Sequence, residues 1–304
     1  MALTAVGSIA FDSVRTPFGA RERMLGGSAV HFALAARFFT DVRIIGPVGE
    51  DFGDAEFGLL DEAGIETAEI ERIDGAKTFF WAGHYEHDMN LAHTDQTELN
   101  VFADFEPKLT EQARAASTLF LGNIQPDLQR RVRGEADAAR FVALDSMNLW
   151  IEIARESLLA AIAEVDCVLL NDAEVRMLTG HPNLVKAAAK LIEAGPSIVV
   201  AKRGEYGAAL FTAEDRIAIP AMLLDEVRDP TGAGDSFAGG FLGYLDSIGS
   251  DSISSRELKR AMAYGSVLAS FNVEDFGTDR VARLTRPAIE ERLAEFRALT
   301  HFGG

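Results

Sequence analysis

The residues best suited to chemistry lie in one glycine-rich segment, Asp229-Pro230-Thr231-Gly232-Ala233-Gly234-Asp235-Ser236-Phe237. Small residues with permissive backbone dihedrals run directly into a predicted helix, so several backbone N–H groups without helical partners point at one spot. Free N–H groups and the helix dipole together favour a bound anion such as phosphate. The segment therefore predicts a phosphate site.

Asp235 lies in the first turn of that helix, where its charge would repel a phosphate. A carboxylate in this position is consistent with a base that takes a proton from a substrate hydroxyl. The neighbouring N–H groups would then stabilise the charge on a transferred phosphoryl group. The alternative is an ordinary first-turn acid that stabilises its helix by about 0.3–1 kcal/mol. These residues alone leave both interpretations open.

Polar residues follow the ends of several predicted strands. In an open α/β sheet, the carboxyl ends of the strands form the edge where ligands bind. Each such residue could instead cap the helix or turn that follows it. Six places show this pattern: Asp12, Asn123, Asp145, Asn171, Lys202 with Arg203, and Asp229.

The elements that position these residues alternate along the chain. Short β-branched runs and helical patterns follow one another, which is typical of a parallel sheet covered by helices on both faces. The predicted strands are Leu3–Ala10, Val42–Gly46, Thr118–Gly122, Phe141–Leu144, Cys167–Leu170 and Ser197–Ala201. The predicted helices are Ser28–Phe39, Asp54–Ala63, Leu149–Glu164, Ala173–Thr179, Leu184–Ala194, Gly234–Ser247, Ser255–Phe271 and Pro287–Leu299. Period-two alternation between residues 66 and 105 predicts antiparallel strands added to this core, and residues 206–219 predict a further hairpin.

Two common nucleotide-binding motifs are absent from the sequence. The pattern G-x-x-x-x-G-K-[ST] does not occur, and the dinucleotide fingerprint fails because Phe237 stands where its third glycine should be. The sequence therefore fits neither a P-loop NTPase nor a standard dehydrogenase.

Composition and charge exclude other classes. The 304 residues include 29 Lys and Arg against 47 Asp and Glu, a formal charge of −18 that disfavours nucleic-acid binding. No run approaches the roughly 18 apolar residues that cross a bilayer, so we expect no membrane association. The single cysteine, Cys167, lies in an apolar run, and no basic residue precedes the first apolar stretch. We therefore expect a cytoplasmic protein with a reduced, buried thiol.

The chain resembles the ribokinase or PfkB family of carbohydrate and nucleoside kinases. The segment Asp229–Phe237 resembles the C-terminal signature of that family. The stretch Gly26-Gly27-Ser28-Ala29-Val30-His31 resembles its N-terminal di-glycine signature, and Asn171-Asp172-Ala173-Glu174 resembles its N-x-x-E motif. These similarities span nearly the whole chain.

The resemblance implies a ribokinase-like fold, a three-layer α/β/α core with a mainly parallel sheet and a small β lid. In this sequence the α/β core would comprise residues 1–10, 24–65 and 106–304. Residues 11–23 and 66–105 would form the β-rich lid.

The resemblance also assigns catalytic roles. It implies that Gly232, Ala233 and Gly234 form an anion hole and that Asp235 is the catalytic base. Asn171 and Glu174 would act near the phosphates through Mg²⁺ and its waters, as suits a cation that prefers oxygen ligands and keeps much of its hydration.

The acceptor site follows from the N-terminal signature. Asp12 would bind substrate hydroxyls, and Gly26 and Gly27 would let the substrate approach the backbone. Family members such as ribokinase usually carry Asn where this chain has His31, which either contacts the substrate or packs within its helix. Asn148 lies in a segment that resembles one of some sugar kinases, although the spacing differs.

The donor site implied by the resemblance binds ATP between two segments. Lys202, Arg203, Gly204 and Gly207 lie in the first of them, which resembles a family turn near the nucleotide. Asn272 and Gly277 lie in the second. A monovalent cation, K⁺, near Asp229 and Thr231 is a further implication.

We therefore expect an ATP- and Mg²⁺-dependent kinase that phosphorylates a hydroxyl of a small sugar. The alternatives are a nucleoside kinase of the same family and a non-catalytic sugar or nucleotide sensor on this fold. Aromatic residues of the lid, Phe79, Phe80, Trp81 and Tyr85, would pack against substrate or a neighbour. The exposed lid sheet would offer a surface for a homodimer.

Overall fold

The computed structural model describes residues 2–249 and 253–301. In that part of the chain, thirteen strands form one large and one small sheet. The strands are β1 Ala2–Val6, β2 Ala10–Thr16, β3 Gly19–Gly26, β4 Asp41–Gly49, β5 Ile70–Ile73, β6 Phe79–Tyr85, β7 Ala92–Glu98, β8 Thr118–Leu121, β9 Phe141–Leu144, β10 Cys167–Asn171, β11 Ile198–Lys202, β12 Ala208–Phe211 and β13 Arg216–Ile219.

Helices connect most of these strands. They are α1 Ser28–Ala36, α2 Asp54–Glu62, α3 Glu111–Arg114, α4 Pro126–Glu135, α5 Asn148–Ile153, α6 Arg155–Ile162, α7 Asp172–Thr179, α8 Leu184–Ala194, α9 Ala233–Ile248, α10 Ser255–Asn272, α11 Asp279–Ala282 and α12 Arg286–Thr300. Short 3-10 turns occupy Asn100–Phe102 and Gly204–Tyr206.

The large sheet has the order β13-β12-β11-β10-β9-β8-β1-β4-β5. Its strands from β11 to β5 are parallel, and β12 and β13 add an antiparallel hairpin at one edge. Both faces are apolar, since Cys167 and Leu169 of β10 face one core while Val168 and Leu170 face the other. Helices α1, α2 and α9–α12 cover the first face and α3–α8 the second, so the predicted three-layer α/β/α architecture is confirmed.

The small sheet has the order β3-β2-β6-β7. We call it the lid. Its outer pairs are antiparallel as predicted, but β2 and β6 at its centre are parallel. Strand β5, predicted within the lid, instead extends the large sheet beside β4.

Other boundaries also differ from the prediction. The first strand ends at Val6, and Ala10 begins the lid strand β2, because the tight packing at Gly7 separates the two. The predicted helix 149–164 is two helices, interrupted at Ala154 with φ −142° and ψ 34°. No described helix, within residues 2–249 and 253–301, has the length and apolar character needed to span a membrane.

The helix that carries the phosphate-site segment packs very closely on α1. A Cβ on Gly239 of α9 would lie 2.2 Å from the carbonyl oxygen of Phe32. The two backbones approach this closely because Gly239 has no side chain. This close contact fixes α9 against α1, the helix that follows the Gly26-Gly27 pair.

We predict opposite effects of two glycine substitutions. Gly239→Ala should lower the free energy of unfolding by about 1–3 kcal/mol, because the added methyl group overpacks the α1–α9 contact. Gly134→Ala is the control, since its Cβ in α4 would meet no atom within 4 Å. It should raise the free energy of unfolding by about 0.5–1 kcal/mol. Urea unfolding followed by circular dichroism measures both, and equal stability of the two variants would contradict this packing.

Candidate active site

The loop before α9 and the first turn of this helix form a cradle of backbone amides. Gly232 has φ +74°, a left-handed conformation that turns the chain into the helix. Within the described residues, no group accepts a hydrogen bond from the N–H of Gly232 or of Gly234. The N–H of Ala233, predicted to face an anion, donates to the carbonyl oxygen of Pro230 at 3.1 Å. The free amides of the cradle are therefore those of the two glycines.

Asp235 lies in the first turn of α9, directly after the cradle. Burial and the nearby carboxylate of Asp145 raise the pKa of Asp235 to about 7, while the ammonium of Lys202 opposes that shift. A carboxylate with a pKa near neutrality exchanges its proton readily under physiological conditions. Asp235 is thus an acid with a pKa near neutrality directly beside the free amides of the cradle.

Lys202 and Asp145 form an ion pair under the cradle. Lys202 is the last residue of β11, and its Nζ lies 2.5 Å from Oδ2 of Asp145, which follows β9. A Cβ on Gly234 would lie 3.0 Å from the same Nζ, so the ammonium also borders the cradle. Sequence reasoning marked Asp145 as one of the polar residues at strand ends but assigned it no role. Its partner, 57 residues away, could not be recognised from the sequence.

Asn171 and Glu174 close the N-terminus of α7 in a reciprocal capping box. The side chain of Asn171 accepts from the N–H of Glu174 at 2.8 Å, and Oε2 of Glu174 accepts from the N–H of Asn171 at 2.7 Å. Burial and the charge of Asp145 raise the pKa of Glu174 to about 7. Helix capping therefore accounts for part of this motif, and the second carboxylate oxygen of Glu174 is not used by the cap.

The site as a whole has an excess of acidic groups. Glu174 and Asp235 each interact with the carboxylate of Asp145, and all three share the ammonium of Lys202. Hard divalent cations prefer such oxygen donors and keep several of their waters. No three Asp, Glu, His or Cys side chains of the described residues are grouped so that they could hold a metal ion directly. A Mg²⁺ that offset the remaining negative charge would therefore be held largely through its waters.

Asp12 lies on the other side of the cradle, in lid strand β2. It is 6% exposed, and a Cβ on Gly26 would lie only 2.0 Å from its Oδ2. Burial and the charge of Asp229 raise the pKa of Asp12 to about 7, although a hydrogen bond from the N–H of Gly27 opposes the shift. The structure thus brings Asp12, Gly26 and Gly27 together as predicted and leaves a buried carboxyl group beside the glycine pair.

His31 lies beneath the cradle in α1 and is only 2% exposed. Its Nδ1 donates to Oδ1 of Asn272 at 3.0 Å, and a Cβ on Gly232 would lie 2.3 Å from the imidazole ring. Asn272 also accepts from Oγ of Ser236 at 3.0 Å and donates to the carbonyl oxygen of Thr231 at 2.7 Å. Burial lowers the pKa of His31 to about 4. A neutral His31 and Asn272 therefore support the cradle from below.

Asp229 holds the cradle loop to the segment after α10. Its carboxylate accepts from the N–H of Thr231 at 2.9 Å and from the N–H of Gly277 at 3.0 Å. Asp229 and Gly277 are thus joined in one support. The K⁺ site predicted near Asp229 and Thr231 stays a prediction.

A cleft of about 450 Å³ leads away from the cradle. Its lining includes Lys202 and Gly234 together with apolar side chains such as Met222, Leu224 and Val227. Of the residues predicted for the donor site, Arg203, Gly204 and Gly207 also line this cleft, whereas Asn272 and Gly277 are not among its lining residues. The lining thus combines charged and apolar groups, as sites for small polar ligands commonly do.

A larger groove of about 830 Å³ lies at the opposite ends of the strands, around Asp246. The carboxylate of Asp246 accepts hydrogen bonds from the hydroxyl groups of Thr40, Ser117 and Thr118 at 2.6–2.8 Å. Asp246 therefore joins α9 to residues at the starts of β4 and β8. The carboxylate in this groove thus has a structural role.

The lid reaches the cradle through β6. The hydroxyl group of Thr231 contacts that of Tyr85 at 3.3 Å, and burial raises the pKa of Tyr85. Asp12 lies beside Trp81 in the β2–β6 register, so their side chains share a face of the lid with Gly83 and Tyr85. The indole of Trp81 covers Gly83, whose Cβ would lie 2.4 Å from the ring, and its Nε1 donates to Thr94. The lid thus presents an aromatic surface beside Asp12.

Asn148, predicted to bind the acceptor, is exposed at the start of α5. Among the described residues its side chain has no hydrogen-bond partner. Two nearby side chains are instead bonded to each other, since Nε1 of Trp150 donates to Oδ1 of Asn123 at 2.9 Å. The structure therefore leaves Asn148 outside the buried group formed by Asp12 and the cradle.

Comparisons with known proteins agree with this architecture. The family model for pfkB family carbohydrate kinases matches residues 6–283. A cytidine kinase of Thermococcus kodakarensis is 30% identical over 251 residues, which cover 79% of this chain and 87% of that protein. A deoxyribokinase of Salmonella typhi is 30% identical over 280 residues, which cover 88% of this chain and 85% of that protein. A solved nucleoside kinase of Methanocaldococcus jannaschii, a ribokinase-family member, matches 97% of this chain and 98% of its own, with a TM-score of 0.79 and 21% identity. The ribokinase-like fold is confirmed.

Proposed function

The chain belongs to the pfkB family of carbohydrate kinases and is a phosphotransferase with an alcohol acceptor, and we propose that it transfers the γ-phosphoryl group of ATP to a primary hydroxyl of a nucleoside. The observation that carries this proposal is the position of Asp235 beside the free amides of Gly232 and Gly234 and the ammonium of Lys202.

Asp235 acts as the base in this proposal. Its raised pKa means that both protonation states are accessible near neutral pH. The carboxylate accepts the proton of the acceptor hydroxyl as the oxygen attacks the γ-phosphorus, and the bond from phosphorus to the leaving oxygen of ADP breaks. This role explains why Asp235 lies in the first turn of α9, where its charge repels a bound phosphate. The carboxylate must lie close to the attacking oxygen.

The cradle and Lys202 stabilise the transferred group. The N–H groups of Gly232 and Gly234 point from the helix N-terminus, and positive charge from Lys202 lies next to them. Preorganised donors of this kind stabilise charge that develops in the transition state and commonly contribute about 2.7–4 kcal/mol each. The buried ion pair with Asp145 keeps the ammonium in that position.

The cleft holds the ATP donor, with its phosphates toward Lys202 and Gly234 and its base among the apolar side chains. Ribokinase-family kinases use ATP with Mg²⁺, and Glu174, with Asn171 beside it, would hold a hydrated Mg²⁺ here. When bound, this cation neutralises phosphate charge. Glu174 itself fixes the start of α7 through one carboxylate oxygen, and the cap leaves its second oxygen unused.

The acceptor lies against the face of the lid that carries Asp12 and Trp81. Asp12 is the group that would bind hydroxyls of a ribose, and Gly26 and Gly27 let the ring approach the backbone. The flat indole of Trp81 over Gly83 offers a surface on which a nucleoside base can stack. A free sugar has no base to place there. The cytidine kinase among the relatives supports a nucleoside acceptor as well. This proposal departs from the small sugar expected from sequence.

A free pentose is the second candidate. The deoxyribokinase relative is also 30% identical and covers more of this chain. A sugar would use the same contacts with Asp12 and the glycine pair but would leave the Trp81 surface uncovered. A non-catalytic sensor, the other alternative from sequence, would bind a ligand and consume no ATP.

Asp235→Asn should lower kcat by about 10²–10⁴-fold, because the amide cannot accept the proton of the acceptor hydroxyl. The affinity for the donor should change little, since the cradle amides and Lys202 remain. A coupled assay of ADP formation and calorimetry with a non-hydrolysable ATP analogue measure these two quantities.

Asp54→Asn is the matched control, because Asp54 is an exposed first-turn aspartate in α2 that belongs neither to the cradle nor to the lining of the cleft. It should keep full activity. If Asp235→Asn were as active as Asp54→Asn, Asp235 would be only a helix-stabilising acid and the proposed mechanism would fail.

A panel of nucleosides, ribose, deoxyribose and fructose tests the acceptor. We expect the highest kcat/KM for a nucleoside. Trp81→Ala should then raise KM for that nucleoside by about tenfold, since stacking of a base on an aromatic ring contributes roughly 1–3 kcal/mol. Trp81→Phe should restore most of the affinity. A higher kcat/KM for ribose or deoxyribose, with no effect of Trp81→Ala, would identify a sugar kinase instead.

A further inference from the structure

The tip of the lid lies at the donor cleft rather than at the acceptor. The hairpin between β6 and β7 extends beyond Tyr85, and its residues 87–90 line the same cleft as Lys202 and Gly234. The lid also contributes Asp12 to the acceptor side. One sheet therefore borders both substrate sites.

Asn90 connects this tip to the turn that follows β11. Its Nδ2 donates to Oε1 of Glu205 at 3.0 Å, and its Oδ1 accepts from the N–H of Glu205 at 3.4 Å. A Cβ on Gly204 would lie 2.4 Å from Oδ1 of Asn90, so the amide fits directly against this glycine, whose φ is +55°. This contact between residues 115 positions apart thus joins the lid tip to the turn across the lining of the cleft.

The amide of Asn90 is held in a fixed orientation within the tip. Its Nδ2 also donates to the carbonyl oxygen of Asp88 at 2.8 Å, and its backbone N–H donates to the side chain of Asp88 at 3.3 Å. Met89 between them has φ +54°, which turns the chain sharply. The tip is therefore shaped to present Asn90 to the Gly204-Glu205 turn.

We propose that Asn90 is a donor-site residue, which fixes the lid tip to the Gly204-Glu205 turn and encloses the nucleotide donor in its cleft. The turn begins two residues after Lys202, so a group bound to it borders the path from the cradle to the apolar side chains of the cleft. The inference rests on the proposed function, because it assumes that the cleft holds ATP.

A substitution in the lid should therefore change the binding of the donor. Asn90→Ala removes the side-chain amide that bonds to Glu205. Loss of one or two such bonds shifts the balance between a tip joined to the turn and a released tip by about tenfold toward the released state, which encloses the donor less well. We expect KM for ATP to rise by about tenfold and KM for the acceptor to change less than twofold. Asn90→Asp should have the larger effect, because it places a carboxylate against that of Glu205.

Gln96→Ala is the matched control, since Gln96 is an exposed amide of lid strand β7 that bonds to Glu98 and does not line the cleft. It should leave both KM values unchanged. A parallel rise of both KM values in Asn90→Ala, or no rise in either, would overturn the proposal.

Calorimetric titration with the ATP analogue separates this inference from the proposed function, because it needs no turnover. Weaker binding of the analogue by Asn90→Ala than by Gln96→Ala supports the donor contact even if no acceptor in the panel is phosphorylated. Equal affinity of the two variants would contradict it, whatever the acceptor proves to be.

Discussion

The site depends on the balance between three carboxylates and one ammonium at the carboxyl edge of the sheet. Asp145, Glu174 and Asp235 arrive from three different strand-to-helix connections, and Lys202 lies among them. Because these groups are shielded from water, the charges of Asp145 and Lys202 shift the pKa values of Glu174 and Asp235 in opposite directions. The same balance gives Asp235 a pKa near neutrality and holds a cation beside the two free amides of the cradle. Without Lys202, the pKa values of Glu174 and Asp235 would lose the positive charge that opposes their rise, and the cradle would lose its neighbouring ammonium.

The supports of the cradle are neutral or fully bonded groups. His31 and Asn272 lie beneath Gly232, and Asp229 accepts two backbone N–H groups that join the loop to Gly277. A charged imidazole next to the amides would alter their electrostatics, but burial keeps His31 neutral. The close contact of α9 with α1 at Gly239 fixes the helix that carries Asp235. These packed supports lie below the cradle, and the lid lies above it.

Local sequence predicted the parts whose chemistry is carried by neighbouring residues. Runs of β-branched residues predicted the parallel strands, and the segment from Asp229 to Asp235 predicted an anion site with an acid beside it. The pairing of Asp145 with Lys202, the support of Gly232 by His31 and the reach of Asn90 to Glu205 were not predictable. Each joins residues that are 57 to 201 positions apart in sequence. Such contacts depend on strand order and helix packing, which no local pattern determines. The outer strand β5 was misplaced for the same reason, since nothing in its four residues, Ile-Glu-Arg-Ile, indicates which sheet they join.

The most direct test of this charge balance is the pH dependence of kcat/KM for the acceptor, measured with excess Mg²⁺ and with ATP well below its KM. The base must be deprotonated, so kcat/KM should rise with pH through an apparent pKa near 7. In Asp145→Asn the neighbouring negative charge is lost and Lys202 is released toward Asp235, so the same limb should move to lower pH. A wild-type profile that is flat from pH 5.5 to 8, or an acidic limb that Asp145→Asn leaves in place, would contradict the account.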